Sequence, residues 1–292
     1  MNSHPASSSF FIFQVSSRVD PNHSAAAATP HQGYSHAGWG IWAVRGLVAL
    51  TLAAVGMAQA APALPPLLLG EGALNPAWRF VGFPKKHADL PATRFEAGRV
   101  DGQAALKVVT ASSYGTLVHE LKDAEPPPTR LQWRWRLDQP LTGGQAPPDL
   151  LTKAGDDAAL KVCALFDHPL ERVPFVERTV LRIARSISGE ALPAATLCYV
   201  WDSGRPTPLQ GANPYTRRVR FISLQGQGAP LGQWAGESRD LAQDFAELFG
   251  DELPAGAPAP RVNTVLVGAD SDNTASRSLG WVADLRWTDG PP

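Results

Sequence analysis

The 292-residue sequence has little histidine and almost no excess charge, and each scarcity argues against a class of function. Its formal net charge is −1, whereas nucleic-acid-binding proteins carry a strongly basic face or domain, so we expect no nucleic-acid partner. Four of the seven histidines precede residue 61, which leaves too few for a histidine-rich metal site. Motifs with a defined chemistry are also missing, because the sequence has no Gly-x-Ser-x-Gly, no His-Glu-x-x-His and no glycine-rich phosphate loop.

Long apolar runs are missing too. A membrane-spanning helix needs ~20 apolar residues, and no run in the sequence is that long. The nearest candidate, residues 46–57, follows Arg45 and precedes the small-residue sequence Ala58-Gln59-Ala60. This is the order of a secretory signal peptide. We therefore predict a signal peptide at residues 44–60 and an exported mature protein, periplasmic or extracellular, with no stable membrane span after cleavage.

Residues 1–43 show no periodic apolar pattern, although signal peptides normally start close to the N-terminus. Either translation starts near Val44, or these residues form a disordered leader and the apolar run is an uncleaved anchor.

Both cysteines lie in the mature part, within the strand-like runs KVCALFD and LCYVWD. In an oxidising compartment Cys163 and Cys198 can form a disulfide if their strands are neighbours. Otherwise they are two buried thiols, a common fate of free cysteine. The sequence leaves both possibilities open.

Short strands separated by proline and glycine dominate residues 61–292. In residues 130–138, Leu131, Trp133, Trp135 and Leu137 alternate with polar residues, the period of a strand with one buried face. Shorter runs of this kind occupy residues 104–109, 116–121, 160–166, 197–201, 219–223, 262–267 and 279–287. In the last run we expect Trp281, Ala283, Leu285 and Trp287 to share a face.

Helical spacing occurs twice. In residues 175–188, Val176, Val180, Ile183 and Ile187 fall on one side and arginines on the other. In residues 239–249 the apolar side follows Ser238, which we expect to cap the helix. We predict a single, mainly β domain over residues 61–292, an antiparallel β-sandwich of jelly-roll type with two short helices.

Six segments carry a resemblance to a known family: WRFVGFP (78–84), LQWRWRLD (131–138), DDAALKV (156–162), LCYVWD (197–202), DFAELFG (244–250) and ADSDNT (269–274). They resemble the bacterial family called domain of unknown function 3047, over nearly the whole mature chain. The resemblance implies an exported protein with no established activity, and it assigns no catalytic residue. It also leads us to expect an arginine and a tyrosine where this chain has Lys161 and Cys163. More loosely, Gly280, Trp281 and Asp284 are similar to the closing strand of galactose-binding-like jelly rolls.

Two acidic segments are candidate sites. Asp270, Asp272 and Asn273 offer three hard oxygen ligands, which suit Ca²⁺, although an Asx-type turn explains them as well and is the interpretation we favour. Asp156 and Asp157 are catalytic candidates, either of which could act as a general acid or base beside a sugar. The alternative, which we favour, is a loop-to-strand turn with one exposed carboxylate.

Arginines on polar strand faces and aromatic residues near turns supply the ligand-binding candidates. These are Arg134, Arg136, Tyr199, Trp201, Tyr215 and Trp234. If their strands share a sheet, Arg134, Arg136, Arg218, Arg220 and Arg286 form a basic field suited to an anionic glycan.

The leading hypothesis is a non-catalytic binder of carbohydrate or another cell-envelope ligand on a concave sheet face. The alternatives are a glycan-cleaving lyase or hydrolase on the same fold and a structural envelope protein. Clustering of Arg134, Asp157 and Tyr199 in one cleft would favour the enzyme.

Overall fold

The computed structural model describes residues 64–70, 72–83, 90–121, 130–189 and 191–288. The predicted signal peptide at residues 44–60 and the segment 1–43 lie outside these ranges, so both remain predictions. Within them, no helix has the length and apolar character needed to cross a membrane.

Strands dominate this part of the chain. They are β1 (Leu68–Leu69), β2 (Ala73–Leu74), β3 (Arg79–Val81), β4 (Arg94–Val100), β5 (Gln103–Ala111), β6 (Tyr114–Glu120), β7 (Arg130–Thr142), β8 (Leu160–Phe166), β9 (Ala195–Trp201), β10 (Leu209–Ala212), β11 (Val219–Gln225), β12 (Ala235–Asp240), β13 (Val262–Asp270) and β14 (Arg277–Thr288). The helices are α1 (Phe175–Ser188) and α2 (Leu241–Phe249). Every strand expected from the sequence is present.

The strands form two large sheets. One has seven strands in the order β10-β11-β9-β8-β13-β6-β3, the other has five in the order β12-β7-β14-β5-β4, and β1 pairs with β2 separately. Neighbouring strands are antiparallel, except that β11 runs parallel to β9. From β5 to β8, and again from β11 to β14, the chain passes from one sheet to the other, as in a jelly roll. The predicted β-sandwich of jelly-roll type with two helices is confirmed.

Aromatic side chains join the two sheets in the core. On β7 the alternation read from the sequence holds, because Leu131, Trp133, Trp135 and Leu137 are all buried. The ring of Trp133 lies 5.2 Å from that of Tyr199 on the opposite sheet, and the ring of Trp135 lies 5.7 Å from that of Trp201. Burying such large side chains is the main source of stabilisation at this interface.

A β-bulge in β14 divides its apolar residues between two faces. The register with β7 shifts between Ala283 and Arg286. Trp281 and Ala283 therefore pack on the outer side of the five-stranded sheet, whereas Leu285 and Trp287 join the main core. The expectation that all four share a face was wrong, because one extra residue in a strand reverses the alternation.

Helix α2 begins later than the sequence suggested. Asp240, not Ser238, is its N-cap, and its carboxylate accepts hydrogen bonds from the backbone N–H groups of Ala242 (3.1 Å) and Gln243 (3.0 Å). Ser238 lies in β12, where it pairs with Gln132 of β7. Strand pairing therefore overrides the local capping preference at this position.

Cys163 and Cys198 form a disulfide between neighbouring antiparallel strands. They lie opposite each other on β8 and β9, on the outer side of the seven-stranded sheet. Of the two possibilities left by the sequence, the structure has the disulfide.

Candidate functional site

Four carboxylates and one lysine meet at the outer side of the seven-stranded sheet. Asp156 and Asp157 lie four and three residues before the start of β8, whereas Asp270 ends β13 and Asp272 follows it. Because β8 and β13 are antiparallel neighbours, the beginning of one lies beside the end of the other. We call Asp156, Asp157, Lys161, Asp270 and Asp272 the carboxylate cluster. The two acidic segments that the sequence presents separately thus form one site.

An ion pair lies at the centre of the cluster. Lys161 Nζ is 2.6 Å from Asp270 Oδ2, and their side chains are only 7% and 14% exposed. The backbone N–H of Ala158 donates to the other Asp270 oxygen at 2.8 Å. Burial lowers the pKa of Lys161, but the charge of Asp270 outweighs it and raises that pKa above the usual value. The lysine is therefore charged at neutral pH.

Asp157 holds the loop after β13 in place. Its carboxylate, 1% exposed, accepts hydrogen bonds from the backbone N–H (2.7 Å) and hydroxyl (2.6 Å) of Thr274 and from the N–H of Asn273 (3.3 Å). Burial, followed by the charge of Asp270, raises the pKa of Asp157 to about 6 against these hydrogen bonds. Asp157 has the contacts of a structural residue.

Asp156 is the more accessible member of the predicted catalytic pair. Asn213 Nδ2 donates to Asp156 Oδ2 at 2.5 Å, and Asn273 Nδ2 donates to the Asp156 carbonyl at 3.0 Å. The Tyr215 hydroxyl lies 3.2 Å from Asn273 Oδ1 and 3.0 Å from the carbonyl oxygen of Lys153. Tyr215, predicted as a ligand contact on another basis, therefore borders this cluster.

Two of the three predicted calcium ligands, Asp270 and Asn273, are committed to protein partners. Asp270 pairs with Lys161, and Asn273 binds Asp156 and Asp157. Among the residues that the structure describes, no group of three or more acidic, histidine or cysteine side chains is placed to hold a metal ion. We propose no ion here, and Asp272 remains as a half-buried carboxyl beside the ion pair.

Raising the pH from about 5 to about 9 should destabilise the folded protein through this cluster. Burial, followed by the charge of Asp270, raises the pKa of Asp156 to about 7 and that of Asp272 to about 8, from an ordinary 3.8. Between about pH 4 and pH 8 the folded state therefore keeps protons that the unfolded state releases. These protons contribute stability that is fully present below about pH 4 and is lost as the pH approaches 8. In denaturant titrations, the free energy of unfolding of Asp272→Asn should therefore fall by ~1–2 kcal/mol less than that of wild type over this pH range. Asp167→Asn, at an exposed position, is the control, and a parallel pH dependence of wild type and Asp272→Asn would contradict the prediction.

The second polar surface lies on the outer side of the five-stranded sheet. Arg134 and Arg136 project from β7, and Trp234 immediately precedes the neighbouring strand β12. The Arg134 guanidinium carbon lies 5.1 Å from the centre of the Trp234 ring, a cation–π distance. We call Arg134, Arg136 and Trp234, with their polar partners Gln103, Asp101, Asp138 and Asp284, the arginine–tryptophan face.

Hydrogen bonds hold Arg134 in one orientation. Its Nε donates to Asp284 Oδ2 at 2.6 Å, and one terminal nitrogen donates to Gln103 Oε1 at 2.9 Å. Asp284 is within reach because it lies in the β14 bulge, with a left-handed backbone (φ 54°). The Arg134 and Asp284 side chains are 37% and 46% exposed, so a ligand in solvent can reach both.

Arg136 is held in the same way, farther along β7. It donates to Asp138 Oδ1 at 2.5 Å and pairs with Asp101. The indole N–H of Trp281 donates to the other Asp138 oxygen at 2.8 Å. The face is thus a continuous set of planar polar groups beside two indole rings.

Tyr199 and Trp201 lie in the core, not at either surface. They are 0% and 2% exposed, and the Tyr199 hydroxyl donates to Asp244 at 2.5 Å. We therefore leave them out of the candidate site. Arg134, Asp157 and Tyr199 lie on different parts of the sandwich, so the cleft that would have favoured an enzyme is not formed.

The expected basic field is also divided. Arg220 lies in β11 of the seven-stranded sheet and Arg218 immediately precedes this strand. Both side chains are buried against Glu252. Arg134, Arg136 and Arg286 belong to the five-stranded sheet. The sequence could not reveal this division because it does not show which strands are neighbours.

Two residues of the site, Lys161 and Asn213, were not predicted from the sequence. A lysine within the apolar run after Asp156 and Asp157 was a usable signal, because a charged residue in a buried strand requires a partner. Asn213 gave no such signal, since it lies in an ordinary loop.

The fold and its polar sheet face define an antiparallel β-sandwich protein of the jelly-roll type. Within this class, the chain belongs to the family described as "Protein of unknown function (DUF3047)", whose model matches residues 76–286. The family resemblance read from the sequence is confirmed. No protein with a curated description is significantly similar to the chain in sequence.

Among solved structures, carbohydrate-binding and adhesin domains have a low structural similarity to this chain. The family 29 carbohydrate-binding module CBM29_1 from Piromyces equi has a TM-score of 0.32 at 8% identity, with 78% of this chain and 91% of that one covered. The K3 cleaved adhesin domain of Lys-gingipain from Porphyromonas gingivalis has a TM-score of 0.33 at 10% identity, with 78% and 100% covered. Similarity at this level does not indicate a shared ligand.

Proposed function

We propose that the protein is an exported, non-catalytic binder of carbohydrate, with its ligand on the arginine–tryptophan face. The observation that carries the proposal is the contact between Arg134 and Trp234, held in place by Asp284 and Gln103 on the solvent side of a rigid sheet. Sugars present apolar ring faces and pairs of hydroxyl groups. An indole matches the first, and guanidinium, amide and carboxylate groups match the second.

The charges of this face favour a neutral glycan. Arg134 and Arg136 are accompanied by Asp101, Asp138 and Asp284, each within an ion pair. An acidic polymer would have to approach three carboxylates together with the two arginines, and repulsion by the carboxylates offsets the attraction. We therefore place neutral polysaccharides ahead of the anionic ones suggested by the arginines alone.

Export is part of the proposal and has its own support. The Cys163–Cys198 disulfide is a feature of proteins from oxidising compartments. Residues 44–60 have the order of a signal peptide. Fractionation of the producing cells with N-terminal sequencing tests this part, and a cytoplasmic protein that keeps residues upstream of Val44 would contradict it.

Trp234→Ala should weaken binding to a neutral polysaccharide about tenfold, because loss of ring stacking removes ~1–1.5 kcal/mol. Affinity electrophoresis against a panel of neutral and acidic polysaccharides measures this. Tyr215→Phe, at the carboxylate cluster, is the control and should bind like wild type. Thermal unfolding establishes that both variants are folded. Equal retention of Trp234→Ala and wild type would refute this location of the site.

One observation favours a glycan-cleaving enzyme as a second candidate. Burial raises the pKa of Asp156 to about 7 and that of Asp272 to about 8, so Asp156 is partly and Asp272 mostly protonated near neutral pH, as a general acid must be. The same binding samples distinguish the two functions. New chain ends that disappear in Asp156→Asn or Asp272→Asn would establish the enzyme, whereas retention without new ends supports the binder. If the samples show neither retention nor new chain ends, the remaining hypothesis is a structural envelope protein.

A further inference from the structure

Helix α1 turns its apolar side away from the protein. Val176, Ile183 and Ile187 are 71%, 54% and 70% exposed, and Phe175 and Val180 are exposed as well. Leu181 is the buried residue of the helix. A helix on a globular protein normally directs its apolar side toward the core, so this arrangement needs an explanation. We call Val176, Val180, Ile183 and Ile187 the apolar stripe.

The helix is fixed in this orientation. Leu181 and Ala184 pack against Val173, Leu192 and Ala194. Glu177 pairs with both Arg217 and Arg218, and Arg185 Nε donates to the carbonyl of Leu192 at 2.8 Å. Turning the stripe inward would break these contacts and expose Leu181.

The apolar surface continues beyond the stripe into a groove of about 290 Å³. Val176, Val180 and Leu181 line one side of it, and Leu192 and Pro193 line another. The stripe and the groove together form an apolar patch larger than isolated exposed side chains would give.

The surroundings of the stripe are basic. Residues 171–187 contain four arginines and two glutamates, in a protein of net charge −1. Arg172 and Arg182 are exposed, as is Arg217 across the groove. A helix with a strong apolar side, arginines on its other side and low overall hydropathy is typical of a segment that lies in the plane of a lipid interface.

We propose that α1 binds the surface of an anionic lipid bilayer. The apolar stripe enters the boundary between headgroups and acyl chains, and the surrounding arginines attract the negatively charged lipids. A second copy of the chain fits less well, because a symmetric contact through the apolar stripe would offer the exposed Arg172 and Arg182 no net negative surface.

The test uses the full chain and two vesicle populations, phosphatidylcholine alone and phosphatidylcholine mixed with phosphatidylglycerol. We expect binding to the mixed vesicles that weakens as salt is added. The double variant Ile183→Glu/Ile187→Glu should lower the partition coefficient at least ~10-fold, because charged residues replace two inserted apolar side chains. Leu231→Glu is the matched control, since Leu231 is an apolar side chain 47% exposed outside α1.

Three results would overturn the proposal. Equal partition of the double variant and wild type would place binding elsewhere, for example in residues 46–57. Equal binding to both vesicle populations would remove the role of anionic lipid. A wild-type dimer that the double variant dissociates, without vesicle binding, would make a second copy the occupant. Circular dichroism and unchanged polysaccharide retention would show that the variant is folded.

Discussion

Glu252→Ala should lower the free energy of unfolding by about 3–5 kcal/mol, because it leaves two buried guanidinium groups without their main partner. The Glu252 side chain is 1% exposed. Arg218 donates two hydrogen bonds to it, at 2.7 and 2.8 Å, and Arg220 donates one at 2.8 Å. His168 Nε2 lies 3.0 Å from Glu252 Oε2, the oxygen that also accepts one of the hydrogen bonds from Arg218. This network joins the end of β8, the start of β11 and the turn after α2.

Denaturant titrations measure this loss, and acid provides an independent check. Burial alone would raise the pKa of Glu252, but hydrogen bonds from Arg218 and His168 and the arginine charges lower it from 4.5 to about 2. The resulting stability is present above about pH 4.5 and is lost as the pH falls toward 2, so wild type and Glu252→Ala should converge in acid. Glu247→Ala, at an exposed position of α2, is the control with an expected change below ~0.5 kcal/mol. A similarly small change for Glu252→Ala would disprove the role of the network.

Removal of the disulfide should have an effect of similar size. Cys163 and Cys198 are 35 positions apart, and a loop of this length in the unfolded chain corresponds to about 4 kcal/mol in the chain-entropy model. We expect Cys163→Ala/Cys198→Ala to lose this amount in denaturant titrations. The reduced wild-type protein should lose a comparable amount, which separates the cross-link from packing of the sulfur atoms. A loss below ~1 kcal/mol in both samples would contradict the prediction.

The sequence predicted the strands well because most of them have one face in the core. Period-two alternation identified β7, and the predicted bounds of β8 and α1 agree with the structure. The errors occur where a local pattern competes with tertiary structure. Ser238 could have capped α2 but is taken up by β12, and the bulge in β14 reverses the face of Leu285 and Trp287.

Exposure of individual side chains was harder to predict. Trp201 ends β9, close to a turn, and this suggested a ligand contact, yet its ring packs against Trp135 in the core. The apolar side of α1 was recognised, but periodicity gives only the relative positions of side chains around a helix. Which side meets the protein depends on Leu192 and Arg218, whose positions the sequence pattern does not reveal.

The candidate site was predicted in fragments for a related reason. Asp156, Asp157, Asp270 and Asp272 were each singled out, but residues more than 100 positions apart are joined by strand pairing, not by sequence spacing. The ion pair that joins them spans 109 positions, and the hydrogen bonds from Thr274 to Asp157 span 117. The contact between Trp234 and Arg134 could not be predicted for the same reason. It depends on the pairing of β12 with β7, and strands β8 to β11 lie between these two strands in the sequence.

The strand order also restricts how the protein can fold. In the seven-stranded sheet β13, from near the C-terminal end of the described chain, lies between β6 and β8. Until β13 is available, β8 and β6 have no partner on those edges, so the sheet cannot grow strand by strand from the N-terminus. Such a high contact order is characteristic of slow folding. A ribosome-bound chain lacking β13 would hold two unpaired apolar edges, which a chaperone or a translocation machinery would have to protect from aggregation.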